Sequence, residues 1–519
     1  MRGVLLISCI TFACAHQARP PPLAGWEELR SDHFRLQTDL SPSAARVTLE
    51  RLETLRSALQ TEWMVPADAS DTADVLILAE TAELLTFTDW LGVSSVSGSR
   101  PLIVTAADGL GAFEDPLPYT TVLAHEMTHV LSRWRMPSAA PWYEEGMAGL
   151  LGTVQIRDGR LASFGRRGVH AHFRSSGKFF AGSTPPSDPT GTAVPTIPPQ
   201  DSIDPDSRSG EVLGLDALDE LPWQFATPED GRVAYRSARL WVQALRLRDP
   251  VRVKALEQAL GSGDTWRGAW ADTRRGLDAA KLEKLVRTWT GLEVLPTDEH
   301  PFTAPTIHST ERPMAPWEAR CVRAELWLLG GAPEQRADRL ARARAELESA
   351  AREAPGEALP RVALARLDPD LEARLATAEA TARAYPDSPE AAVFLAATLR
   401  EDLRDRPGRA EAIVRAVKLA PEDPDALSTS AVEQARTGQA SAALQTISRA
   451  VALAPWSPVV LRVQANLLAA VGRCDEALDT ARRARGVLPH RAPPELVEAV
   501  QRDLGLIREK CPHAQAPAR

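Results

Sequence analysis

The chain has 519 residues, 44% of them hydrophobic and 25% charged. These values exclude a collagenous, prion-like or wholly disordered polymer, and the length leaves room for two or three domains with real cores. The formal charge is -9, and a nucleic-acid footprint needs clustered excess positive charge, so nucleic acid is excluded as a partner.

Arg2 precedes an apolar run from Val4 to Ala13 that is too short to span a bilayer and gives way to small residues. Residues 1–14 therefore read as a bacterial secretory signal. Thr11-Phe12-Ala13-Cys14 resembles a lipobox with Cys14 as the lipidated residue. Ala13-Cys14-Ala15 also reads as an A-x-A cleavage site that would release a soluble protein. The expected location is the cell envelope: lipid-anchored at the bacterial outer membrane, or periplasmic or secreted. No later stretch has the ~18 uninterrupted apolar residues of a membrane-spanning helix. Membrane contact is expected only through a lipid on Cys14.

From residue 25 onward, strand-like and helix-like segments alternate. Phe34–Thr38 alternates like a strand, and Ser41 to Trp63 carries apolar residues at helical spacing behind a Ser41-Pro42 start. Val75–Ala79 and Leu102–Thr105 are short strand runs. The latter is expected to pair with an extended substrate backbone. A helix is predicted over Thr120 to Trp134, stopped by Met136-Pro137, and a second one from about Trp142.

The first of these helices contains His125-Glu126-Met127-Thr128-His129. Positions i and i+4 share a helix face, so His125 and His129 can place two imidazoles on one Zn2+. Glu126 then lies beside the metal as a general base. A catalytic zinc needs a third protein ligand and one open position. Trp142-Tyr143-Glu144-Glu145-Gly146-Met147-Ala148 resembles the W-x-x-E-G-x-A segment of gluzincin metallopeptidases. That resemblance implies Glu145 as the third ligand. Glu144 stands where many relatives have Asn. Trp26–Thr38 is similar to the opening strand of the peptidase-MA-like gluzincins, whose domains run in the order read here. Gly111–Asp115 resembles the aminopeptidase G-A-M-E-N segment but lies too close to His125 to act as that edge strand. His170 and His172 are read as an exposed or substrate-side pair.

Residues 176–211 are rich in Pro, Ser, Gly and Asp and read as a disordered insertion. Beyond it, Tyr235–Trp241 looks like a downstream gluzincin segment in which a Tyr opens a helix. The resemblance gives Tyr235 the role of hydrogen-bonding the tetrahedral oxyanion, with a plain packing role as the other reading. The gluzincin-like domain is thus expected over 25–300, followed by a Pro-rich linker at 301–316.

The part from 317 to 511 repeats itself. Pro421, Pro455 and Pro489 are 34 residues apart, Gly438 and Gly472 repeat with the same shift, and Ala350, Ala416, Ala450 and Ala484 each precede a proline by five. Alanine lets helices approach and proline ends the second helix of each pair. This period resembles tetratricopeptide repeats. In such an array a capping helix brings Cys511 back toward Cys474, so that pair is the candidate disulfide.

The sequence therefore predicts an α+β zincin-like metallopeptidase domain with a C-terminal all-α tetratricopeptide solenoid. The expected function is that of an exported zinc metallopeptidase acting on protein or peptide substrates, its repeats recruiting a protein partner in their groove. The alternative is a non-catalytic zinc-binding scaffold lipoprotein in envelope protein assembly.

Overall fold

The computed structural model describes residues 22–63, 72–88, 92–97, 100–107, 120–157, 160–163, 211–221, 228–262, 264–289, 299–329, 335–402, 404–488 and 494–512. The signal at 1–14, Gly111–Asp115, His170, His172 and residues 176–210 of the insertion lie outside them.

Six strands form one sheet in the order β4 (Gly92–Ser97), β5 (Arg100–Ala106), β3 (Ala73–Leu78), β2 (Phe34–Thr38), β1 (Glu27–Arg30) and β9 (Thr310–Pro313). The central β2, β3 and β5 run parallel and the outer pairings are antiparallel. A second sheet joins β6 (Val154–Arg157), β7 (Arg160–Ser163) and β8 (Glu299–Pro301). Central parallel strands are buried on both faces, and β3 follows that rule. Val75 and Ile77 face one core while Leu76 and Leu78 face another.

On the first face lie α1 (Pro42–Glu62), α3 (Thr120–Arg135), α4 (Pro141–Leu151), α6 (Pro228–Arg248) and α7 (Pro250–Gly261). Ser41 caps α1, its hydroxyl accepting from the Ala44 amide, with Pro42 in the first turn. The opposite face is covered by α2 (Thr81–Phe87), α10 (Pro316–Leu329) and α11 (Arg336–Glu353), through Ala319, Val322, Leu326, Trp327 and Leu347.

Two expectations are corrected here. Residues 301–316 are not a free-standing linker, because Thr310–Pro313 adds β9 to the sheet, with Arg312 opposite Glu28. Arg312 then bridges Glu28 and Glu318. Without β9, β1 would present a row of unpaired backbone groups, and a proline at the sheet edge removes no needed donor. Leu102–Thr105 cannot take up a substrate strand, since β3 and β4 occupy both edges of β5. Among the described strands, β4 ends the sheet on that side.

From α10 onward the chain is a stack of helix pairs. After α10–α11 come α12 (Leu359–Arg366) with α13 (Leu371–Ala384), and α14 (Pro389–Glu401) with α15 (Arg409–Leu419). Next are α16 (Pro424–Arg436) with α17 (Ala440–Leu453), α18 (Pro458–Ala470) with α19 (Cys474–Gly486), and α20 (Pro494–Lys510) against α18 and α19. The sequence landmarks have physical roles in these repeats. Ser388, Asp423 and Ser457 cap successive first helices, each ahead of a proline in the first turn. Gly438 and Gly472 make the turn within a pair at φ of +80° and +78°, a conformation costly for residues with a Cβ. Ala350, Ala416, Ala450 and Ala484 are buried where helices touch. Cys474 and Cys511 are disulfide-bonded with Cα atoms 5.4 Å apart, tying α19 to the cap. The array shares a core with the sheet, and Arg339 fixes the joint by donating to the backbone oxygens of Leu326, Trp327 and Phe87.

Candidate metal centre

The α3 helix brings His125 and His129 onto one face with their Nε2 atoms 3.1 Å apart. After the short connection through Met136 and Pro137, α4 returns Glu145 to the same place. Its Oε2 lies 3.4 Å from both Nε2 atoms. Among the described residues, these three form the cluster of His, Cys, Asp and Glu side chains able to hold a metal ion. Sides of 3.1, 3.4 and 3.4 Å define a circle of radius about 1.9 Å, close to the ~2.0–2.1 Å of zinc–nitrogen and zinc–oxygen bonds. The Glu145 Oε2 atom is buried without a hydrogen-bond partner. A buried carboxylate oxygen whose neighbours are two imidazole nitrogens at 3.4 Å is suited to sharing a cation with them. The donor set fits zinc.

The electrostatics agree with that geometry. Burial, the largest single effect, disfavours the charged form of His129, but Glu145, Glu126 and Glu144 together outweigh it, and the imidazole pKa rises to about 9. Burial likewise works against the charge on Glu145, yet His129 and His125 hold its carboxyl far below the usual range. Burial pushes Glu144 up to about 7, against the pull of His129 and Arg133. Glu126 is buried beside the two histidines and its charge is felt at His129.

Close packing seats the helix that carries Glu145. Gly146 meets α6 at Ala238 and Val242, and Gly149 meets Arg239. One residue earlier in the turn than Glu144, the Tyr143 hydroxyl donates to Glu257 on α7 at 2.8 Å. The Trp63 indole and the Arg246 guanidinium donate to the same carboxylate. Glu257 thus ties α4 to α1, α6 and α7. No spacing rule points to it, because its partners are far away in sequence. Tyr235 does not open a helix as expected; it lies in the second turn of α6, half-buried against the main core. It stands one turn before Ala238, the residue that abuts Gly146.

Fold and site together define a two-part protein: an α+β unit holding a His-His-Glu cluster, and an array of stacked helix pairs. No known protein family matches the chain, and no curated protein matches it. Among solved structures it is similar to TTC0263, a thermophilic TPR protein of Thermus thermophilus. The identity is 19% over 36% of this chain and 98% of that one, with a TM-score of 0.28. It is similar to MamA at 15% identity over 29% of this chain and 90% of that one, with a TM-score of 0.23. The P58(IPK) TPR domain matches at 14% identity over 56% of this chain and 84% of that one, with a TM-score of 0.20. These likenesses concern fold alone.

Proposed function

We propose that the α+β unit is a zinc-dependent metallopeptidase of the zincin type, a hydrolase of peptide bonds in protein or peptide substrates. The carrying observation is the convergence of His125, His129 and Glu145, with Glu145 Oε2 3.4 Å from both imidazoles and Glu126 alongside. Zinc held there would supply a Lewis acid for the scissile carbonyl and lower the pKa of the attacking water. Glu126 takes the proton from that water and delivers it to the leaving amine nitrogen as the carbon–nitrogen bond breaks. Tyr235, from the helix beside α4, is the proposed donor to the oxyanion. With β5 enclosed, β4 is the edge proposed for an extended substrate backbone. The helical array is proposed to hold a protein partner in its groove. The export reading, with Cys14 as a lipid anchor, belongs to the same proposal. The Cys474–Cys511 bond supports it, since such bonds persist in oxidising compartments. No helix among the described residues is long and apolar enough to cross a membrane.

The second reading is a non-catalytic scaffold, favoured by the extent of the helix-pair array. Zinc content and peptide cleavage, compared between the wild type and Glu126→Gln, decide between them. The peptidase reading expects one zinc per chain in both proteins and a loss of roughly 10²–10⁴-fold in cleavage by the variant. Zinc-loaded protein whose cleavage is unchanged by Glu126→Gln refutes the mechanism, zinc-loaded wild type that cleaves no peptide favours the scaffold, and protein that takes up no zinc refutes the metal reading.

A further inference from the structure

The free end of the helical array comes back to the metal-binding unit. Trp456, in the turn before α18, packs edge-to-face on Trp134, with ring centroids 6.3 Å apart and planes at 78°. Both indole nitrogens are buried without hydrogen-bond partners, so packing alone holds this contact. Nearby, a Cβ built on Gly486 at the end of α19 would lie 3.2 Å from the Ser138 Cβ.

The place of contact gives it meaning. Trp134 is in the last turn of α3, five residues beyond His129, and Ser138 lies in the connection seven residues before Glu145. That connection joins the helix carrying two donors to the helix carrying the third. Its other side is held firmly. The Ser138 hydroxyl donates to the Asp264 backbone oxygen at 2.6 Å, and a Cβ on Gly261 would meet the Arg135 oxygen at 2.8 Å. The connection is therefore clamped between the end of α7 and the last repeats. Helices are stiff over such short spans, so a shift of the clamp tilts α3 against α4 and changes the 3.4 Å spacing of donors across them.

We infer that Trp456 is a positioning residue for the metal centre, acting from the array through Trp134 and the α3–α4 connection. This rests on the metal reading proposed above but not on peptidase activity. It makes the array more than a recruiting surface: whatever bends the last repeats also adjusts the ligand geometry.

The test uses the full chain and Co2+ as a spectroscopic probe of the site. Trp456→Ala is expected to weaken Co2+ affinity about tenfold and to alter its visible absorption, whereas Trp456→Phe keeps both near wild type. Gly486→Phe tests the same point without emptying the array, by wedging a ring against Ser138, and is expected to act in the same direction. Unchanged Co2+ affinity and spectrum in both Trp456→Ala and Gly486→Phe overturn the inference alone. A wild type that binds no Co2+ overturns the metal reading and this inference with it.

Discussion

Gly146 presses directly on Ala238: a Cβ built on the glycine would sit 2.6 Å from the Ala238 carbonyl oxygen. That contact lets α4 approach α6 and fixes Glu145, the next residue back along α4. Gly146→Ala must push the helices apart, at a cost of about 1–3 kcal/mol typical of overpacking. The expected result is a lower melting temperature together with weaker zinc binding in chelator competition. A fully stable variant with wild-type affinity contradicts the packing argument.

Metal affinity should depend on pH through His129. In metal-free protein its pKa of about 9, against 6.5 ordinarily, contributes stability that is present below pH 6.5 and lost as pH rises through 9. The lowered Glu145 carboxyl contributes stability above its ordinary value of 4.5 and loses it in acid. A metal must displace the His129 proton, so affinity should tighten by up to about tenfold per pH unit until the pH reaches that pKa. Chelator competition across a pH series checks this. A flat profile between pH 6.5 and 9 contradicts it.

The Cys474–Cys511 bond closes the last helix pair onto its cap. Replacing both cysteines with alanine should cost about 2–4 kcal/mol, felt as earlier melting of the terminal repeats. Thiol titration of denatured, unreduced protein should find Cys321 reactive and this pair silent. Three reactive thiols at these positions would rule the bond out.

Cutting the chain at residue 300 should damage the α+β unit. It removes β9, Met314 and the α10–α11 pair, which cover Leu76, Leu78 and Val104. A chain ending near residue 353 should melt cooperatively, and one ending at 300 should show weak near-ultraviolet dichroism and aggregate. Equal cooperativity in the two would show that the first pair is dispensable.

The parts of this molecule legible in the sequence are those whose physics is local. An i, i+4 pair of histidines fixes its own geometry once the segment is helical, as do the proline starts and positive-φ glycines of the repeats. Glu145 was readable through its resemblance to a known segment, with no rule of spacing to reach it from His129. Strand order is non-local, so neither the enclosure of β5 nor the return of Thr310–Pro313 could be read from residue patterns. Glu257 was equally hidden, since a lone glutamate on an amphipathic helix looks like a solvated one until Tyr143, Trp63 and Arg246 are seen around it. The sequence pattern puts Tyr235 near a helix start because the apolar periodicity begins at Val233, whereas α6 starts at Pro228, seven residues before Tyr235.

The joint between sheet and array also sets an order of events during synthesis. The apolar face bearing Leu76, Leu78 and Val104 is made early, but its cover includes Trp327 and Leu347. A chain emerging from its N-terminus carries that surface with α2 as its only early cover among the described helices, until α10 follows more than two hundred residues later. Until α11 has emerged, the half-made protein is a client for any chaperone that binds apolar strands, and the first helix pair then takes the chaperone's place.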